Sequence, residues 1–178
     1  RALVKQILTF SRKESADKKR VPLGRLTHDA LQMVHASLPA TIALVERIGE
    51  VPFVLGDAGQ LRQVIINLTT NAAQAIGEAA GTITIHVECD GADEVQLSVR
   101  DTGCGINDAH LPWLFDPFFT TKEAGQGTGL GLSICHGIVT AHGGHIEVKS
   151  ELGRGAEFTV TFPAVRLKAE PVVIEPAA

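Results

Sequence analysis

The sequence predicts an α+β fold: a two-layer α/β sandwich whose mixed, mostly antiparallel sheet is covered on one face by about three helices. Three observations predict it. Helical apolar stripes and alternating strand patterns are intermixed along the chain. Two pairs of strand patterns, at 82–101 and 144–162, are close enough in sequence to be hairpins. Hydrophobic residues make up 44% of the 178, enough for one core and about one domain.

Taken in order, residues 1–13 carry Leu3, Ile7 and Phe10 in a helical stripe of coiled-coil type, with Val4 and Leu8 beside it. The stripe is too short to stand alone. The charged stretch 13–20 reads as a linker. A helix over 23–38 carries Leu26, Ala30, Leu31, Val34 and Leu38 and stops at Pro39. Ile42, Leu44 and Val45 suggest one short strand and residues 53–55 another. Asp57 is placed to cap a long helix running to Ile76. Leu61, Val64, Ile65, Leu68, Ala72, Ala75 and Ile76 form its buried side, and Gly77 and Gly81 bracket its end. Ile83, Ile85 and Val87, then Val95, Leu97 and Val99, alternate with polar residues as strands do. A loop-rich region spans 101–126, followed by a helix over 128–142. Strands at 146–149 and 157–162 close the domain. The tail, with Pro171 and Pro176, reads as linker.

Composition narrows the function. A net charge of −4 makes nucleic-acid binding through bulk charge a poor reading. No apolar run approaches the roughly 20 residues that span a bilayer, and no signal peptide opens the chain. Cys89, Cys104 and Cys135 are odd in number and widely spaced, as reduced thiols of a cytosolic protein would be. The chain opens at Arg1 in mid-pattern without an initiator Met, which reads as a piece of a longer protein.

Three segments carry chemistry. Asn67 and Asn71, in 63–75, are four apart, so both amides leave one face of a helix. Asparagine is unfavourable in mid-helix. An amide oxygen suits Mg²⁺; two buried amides serving neighbouring backbone would read the same way. Arg100-Asp101-Thr102-Gly103-Cys104-Gly105-Ile106 lies where a strand ends. Its carboxylate can accept from an exocyclic amine such as that of adenine, with glycines that let a ring come close; an ordinary Asp-Gly turn is the alternative. Gly125-Gln-Gly127-Thr128-Gly129-Leu130-Gly131-Leu132 leads into a helix. It exposes backbone N–H groups where the dipole favours phosphate. Leu130 and Leu132 argue against a flexible linker. The spacing is neither G-x-G-x-x-G nor a P-loop.

In this order, the three segments resemble the nucleotide site of the gyrase, heat-shock chaperone, histidine kinase and mismatch-repair ATPase superfamily, and above all that of the sensor histidine kinases. Residues 63–75 look like their N box, 101–106 and 125–132 like their first two glycine boxes. Phe115-Asp-Pro-Phe118-Phe119-Thr-Thr-Lys122 resembles their F box. Gly153-Arg-Gly155 is similar to a third glycine element, with Ala156 where threonine is frequent. The resemblance covers about 20–165. It implies a Bergerat-type ATP-binding catalytic domain there, a remnant of a dimerisation and phosphoacceptor helix at 1–15, and a linker at 166–178.

The resemblance also implies roles. Asn71 would ligate Mg²⁺, with Asn67 helping to hold metal and phosphate. Asp101 would read the adenine amine, and Gly103 and Gly105 would admit the base, with Ile106 beside them. Gly127, Gly129 and Gly131, with Thr128 and Leu130, would wrap the phosphates of ATP. Residues 107–126 would form a lid packed down by Phe115, Phe118 and Phe119. Many relatives carry a basic residue three places after the second Asn. Here it is Gln74, which makes Lys122 a candidate phosphate contact and catalytic residue. The ATPase branches carry a water-activating glutamate at the place of Asn67, so kinase chemistry is favoured over a same-fold ATPase or a non-catalytic nucleotide-binding module. The implied partners are an upstream phosphoacceptor histidine domain, a response-regulator receiver domain and a second copy of the parent, a cytoplasmic or membrane-anchored homodimer.

The phosphoacceptor histidine is not in this chain. His28, in Thr27-His28-Asp29-Ala30-Leu31, precedes an acid as an acceptor would. It lies after the hairpin remnant, however, and Gln32, Met33 and Val34 do not match the polar residue and proline of the motif. His35 is the next helical histidine. His142-Gly-Gly-His145 has metal-like spacing, but no cysteine or acid completes a zinc set. Cys104 reads as a small buried residue.

Overall fold

The structure, a computed structural model, describes residues 18–91, 93–122 and 127–165. The stripe at 1–13 and the tail at 166–178 lie outside them. In chain order the elements are β1 (Lys19–Val21), α1 (Leu23–His35), β2 (Ile42–Ile48), β3 (Phe53–Gly56), α2 (Ala58–Ile76), β4 (Gly81–Asp90), β5 (Glu94–Asp101), a 3₁₀ helix (Asp108–Trp113), α3 (Gly131–Ala141), β6 (His145–Glu151) and β7 (Gly155–Val165).

The sheet runs β1-β3-β7-β5-β4-β2, with β6 on β7. Only β2 and β4 pair in parallel among these strands, so the sheet is mixed and mostly antiparallel. Both expected hairpins form, β4–β5 and β6–β7. Period-two alternation sorts the faces. Ile83, Ile85, Val87, Val95, Leu97, Val99, Phe158 and Val160 are buried beneath the helices. The open face carries His86, Glu88, Gln96, Ser98, Glu157 and Thr159.

α2 begins where its sequence says. Asp57 Oδ1 accepts from the Gln60 amide at 2.9 Å, and Leu61, Val64, Ile65, Leu68, Ala72 and Ile76 are buried. His142, at the end of α3, ties that helix to the start of α2. Its Nε2 accepts from the Asp57 amide at 3.0 Å while Nδ1 contacts the Ile138 carbonyl at 2.7 Å.

The structure departs from expectation in the linker, at two helix ends and in the loop region. The end of the expected linker is strand β1, whose Lys19 and Arg20 pair with Gly56 and Leu55. Three residues are too few to show a period. α1 stops at His35, before Pro39, and 3₁₀-type bonds from Ser37 and Leu38 finish it. α3 starts at Gly131 instead of 128, because Gly129 stands at φ +64°, outside helical space. The loop region holds the 3₁₀ helix, opened by Asn107 Oδ1 accepting from the Ala109 amide at 2.9 Å.

Candidate functional site

Asp101 is the last member of the inward row Val95, Leu97, Val99, so strand geometry drives its carboxylate under the helices. It is 3% exposed. Oδ1 accepts from the Gly103 amide at 2.7 Å and the Ala156 amide at 3.4 Å. Burial raises the carboxyl pKa above its ordinary value, and these two bonds oppose the rise.

The glycines around Asp101 have structural reasons of their own. A Cβ on Gly103 would lie 2.5 Å from the carbonyl carbon of Ala75, at the end of α2. Gly105 stands at φ +68°, and its Cβ would lie 2.1 Å from the Glu151 oxygen. Across the gap, Gly155 stands at φ +88°, with its Cβ 2.0 Å from the Asp101 oxygen. The 101–106 loop is therefore clamped between α2 and the β6–β7 turn. Cys104 donates its amide to Ala75, Gly153 donates to Cys104, and the Ile106 amide donates to Ser150 Oγ at 2.8 Å. Ser150, which no motif marks, also donates to the Gly155 carbonyl at 2.9 Å. Cys104 itself is exposed, against expectation, because its side chain leaves the clamp outward.

Gly155→Ala combines a left-handed backbone with a direct overlap. It should lower the melting temperature by roughly 5–15 °C, the shift that a few kcal/mol produces in a domain of this size. Circular dichroism melts test this; a change within about 1 °C would show that the turn opens around a methyl group freely.

Asn67 and Asn71 do leave one side of α2, and both reach the start of α3. Asn67 Nδ2 donates to the Gly131 carbonyl at 3.4 Å. Asn71 Nδ2 lies 3.8 Å from where a Gly131 Cβ would sit. Two half-buried amides thus adjoin a helix N-terminus. Cys135, one turn into α3, is buried, and burial pushes its thiol up to about 12. That makes it a packing group, not a nucleophile.

The segment before α3 is held by backbone. The Phe118 amide donates to the Gly129 carbonyl at 2.9 Å, and a Cβ on Gly129 would lie 2.4 Å from the Phe118 carbonyl carbon. Phe115 packs on His136 of α3 with ring centroids 5.4 Å apart, and Phe119 on His110 at 5.8 Å. Phe118 does not pack the segment down as expected. Its side chain is 66% exposed and its φ is +69°, because the turn onto Gly129 aims it outward. Thr128 Oγ1 accepts from the Leu130 amide at 3.4 Å, and Leu130 is buried. Lys122 Nζ donates to Gln74 Oε1 on α2. Gln74, like Ser150, lies outside the expected set. Residues 123–126, including Gly125, lie outside the described residues.

A buried strand-end carboxylate, paired amides and a glycine-rich helix start thus surround one side of the sheet. The family model for histidine kinase-, DNA gyrase B- and HSP90-like ATPases matches residues 56–166. The chain belongs to that family. Within the family it is a histidine kinase catalytic domain. The nucleotide-free catalytic domain of histidine kinase ThkA is 34% identical, with a TM-score of 0.73 over 83% of this chain and 96% of that one. ThkA in complex with the response regulator TrrA is 29% identical, with a TM-score of 0.76 over 92% of this chain and 47% of that one. Full-length ShkA in complex with AMPPNP is 28% identical, with a TM-score of 0.81 over 94% of this chain and 36% of that one. Sensor kinase CckA of Brucella abortus is 36% identical over 91% of this chain, which spans 19% of that protein's length. In this family member, no helix among the described residues is long and apolar enough to cross a membrane.

Proposed function

We propose that this domain binds Mg²⁺-ATP and passes the γ-phosphoryl group to a histidine on an upstream dimerisation domain. From there the phosphoryl group goes to a response-regulator receiver domain. The observation that carries this reading is the pair of amides beside the start of α3. ATP would lie with its adenine amine on Asp101, near Ile106, and its phosphates along Gly127, Thr128, Gly129, Leu130 and Gly131. Asn71, with Asn67, would hold the metal. Because Asn67 donates its amide hydrogen to Gly131, its oxygen is left for the metal or a metal-bound water, which fits a hard cation that also binds phosphate oxygens. Bound Mg²⁺ would supply charge neutralisation. Lys122 would add a cation.

Position 67 also favours transfer over hydrolysis. An amide there cannot take a proton from water, so the site holds ATP for a nucleophile brought from outside. The imidazole lone pair attacks γ-phosphorus, the bond to the β-phosphate oxygen breaks, and ADP leaves with that electron pair. The imidazole N–H proton is lost to solvent.

The partner assignments follow the same reading. ThkA is seen with a response regulator, which supports a receiver domain as the acceptor's client. We place the parent in the cytoplasm or anchored to its membrane. It would be a homodimer joined through the helix whose end is residues 1–15, with the ATP-binding domain at 20–165 and a linker at 166–178. The test mixes this chain, Mg²⁺ and γ-labelled ATP with a separately made acceptor domain. Acid-labile label on the acceptor histidine is the expected result. Steady phosphate release without labelling would make the chain an ATPase; nucleotide binding with neither would make it a binding module.

A further inference from the structure

The Lys122 side chain joins α2 to the glycine-rich stretch before α3. Its Nζ donates to Gln74 Oε1. Its stem lies along the glycine-rich stretch, since a Cβ on Gly127 would be 3.2 Å from Lys122 Cδ and 2.8 Å from Thr120 Oγ1. Much of the residue is exposed, yet crowding at the amine end lowers its pKa, an effect the Cys104 thiol opposes.

Gln74 sits three residues after Asn71 on α2, so the two share a helix face. Among the site residues described above, Asn67, Asn71, Gly127 and Gly131 bring no charge. The cation there is Lys122, and it comes from the segment between β5 and α3, 48 residues from its acceptor. The acceptor's chemistry matters. A glutamine carbonyl attracts an ammonium without cancelling its charge, whereas a carboxylate would neutralise it. An exposed contact of this kind adds little to stability, so its consequence is where it puts the charge.

We infer that Gln74 is a positioning residue, which holds the Lys122 ammonium beside the metal-side amides so that a polyphosphate meets a cation delivered by the 115–122 segment. The inference rests on the nucleotide-binding reading above. It makes nucleotide phosphates and the seating of that segment mutually dependent. The ligand class is the polyphosphate of a nucleotide; a nucleoside monophosphate would not reach the cation.

A double-mutant cycle on the 178-residue chain tests it, with Mg²⁺-ATP and AMP as probes in titration calorimetry. Gln74→Leu should weaken Mg²⁺-ATP by about three- to tenfold, the range of a single hydrogen bond, and leave AMP unchanged. In a Lys122→Ala background, Gln74→Leu should change nothing further. Gln74→Glu should also weaken Mg²⁺-ATP, by cancelling the charge. Gln74→Lys combined with Lys122→Ala should restore affinity to within about twofold, because a cation returns to the same place. Gln74 is exposed, so these variants should melt with the wild type. Additive losses in the cycle, equal losses for AMP, or failure of the lysine rescue would each overturn the inference while wild-type binding stands. A wild type that does not bind Mg²⁺-ATP would overturn the functional reading as well.

Discussion

Asp101→Asn should lose at least about 100-fold in ATP affinity while the protein melts at the same temperature or higher. The side chain serves the fold through Oδ1, which takes the Gly103 and Ala156 amides. An asparagine oxygen can accept those same bonds. The change falls on the other oxygen, which becomes an NH₂ group. Facing an adenine amine, it sets donor against donor in a buried site, and an unmade buried hydrogen bond is the costly kind. Stability moves the other way. Burial raises the folded-state pKa of Asp101 above its unfolded value of 3.8. A carboxyl with a raised pKa favours protonation in the fold. Its burial penalty is absent below 3.8, where both states are protonated, and grows as pH rises through the window above that value. At neutral pH the penalty is fully present, and asparagine carries none. The melting difference between variant and wild type should therefore shrink between pH 7 and about pH 4. Calorimetry with ATP and melts at the two pH values test both halves. Wild-type affinity in the variant would remove adenine from Asp101. A collapsed melt would make the carboxylate a structural group.

Asp101 was legible because a strand's alternation is local. Val95, Leu97 and Val99 point inward, so residue 101 must as well. The Asp57 cap and the apolar row of α2 were legible for the same reason: each depends on neighbours within four residues. Gly103, Gly105 and Gly155 could be marked as unusual but not explained. What they make room for is Ala75, Glu151 and Asp101, reached only through tertiary packing. Gln74 is marked in the sequence only as a place where relatives carry a basic residue, and Ser150 has no local signal. Their partners are Lys122 and Ile106, 48 and 44 residues away. Phe118 departs from the packing that the resemblance implies. A left-handed turn onto Gly129 decides its direction, and sequence periodicity does not register that turn.

Asn71→Ala should lower phosphotransfer to a supplied acceptor domain by at least about 10³-fold, or roughly 4 kcal/mol of barrier, without harming the fold. The side chain is half-buried, and alanine is the better helix former by about 0.7 kcal/mol. The melt should hold or rise slightly. What disappears is an amide facing the start of α3. Phosphoryl transfer leaves a protein little to do except align the phosphates and balance their charge, so loss of a metal-holding group should cost rate more than ATP affinity. Asn67→Ala makes the comparison sharp. Its amide hydrogen is tied to Gly131, so that variant should lose some packing at the α2–α3 contact together with activity. A magnesium titration of transfer rate separates the two amides. If Asn71 is the ligand, its variant stays slow at saturating magnesium, and Asn67→Ala recovers in part because one amide remains. Transfer by Asn71→Ala within tenfold of wild type, still dependent on magnesium, would place the metal on other groups and leave the paired amides as helix-packing residues.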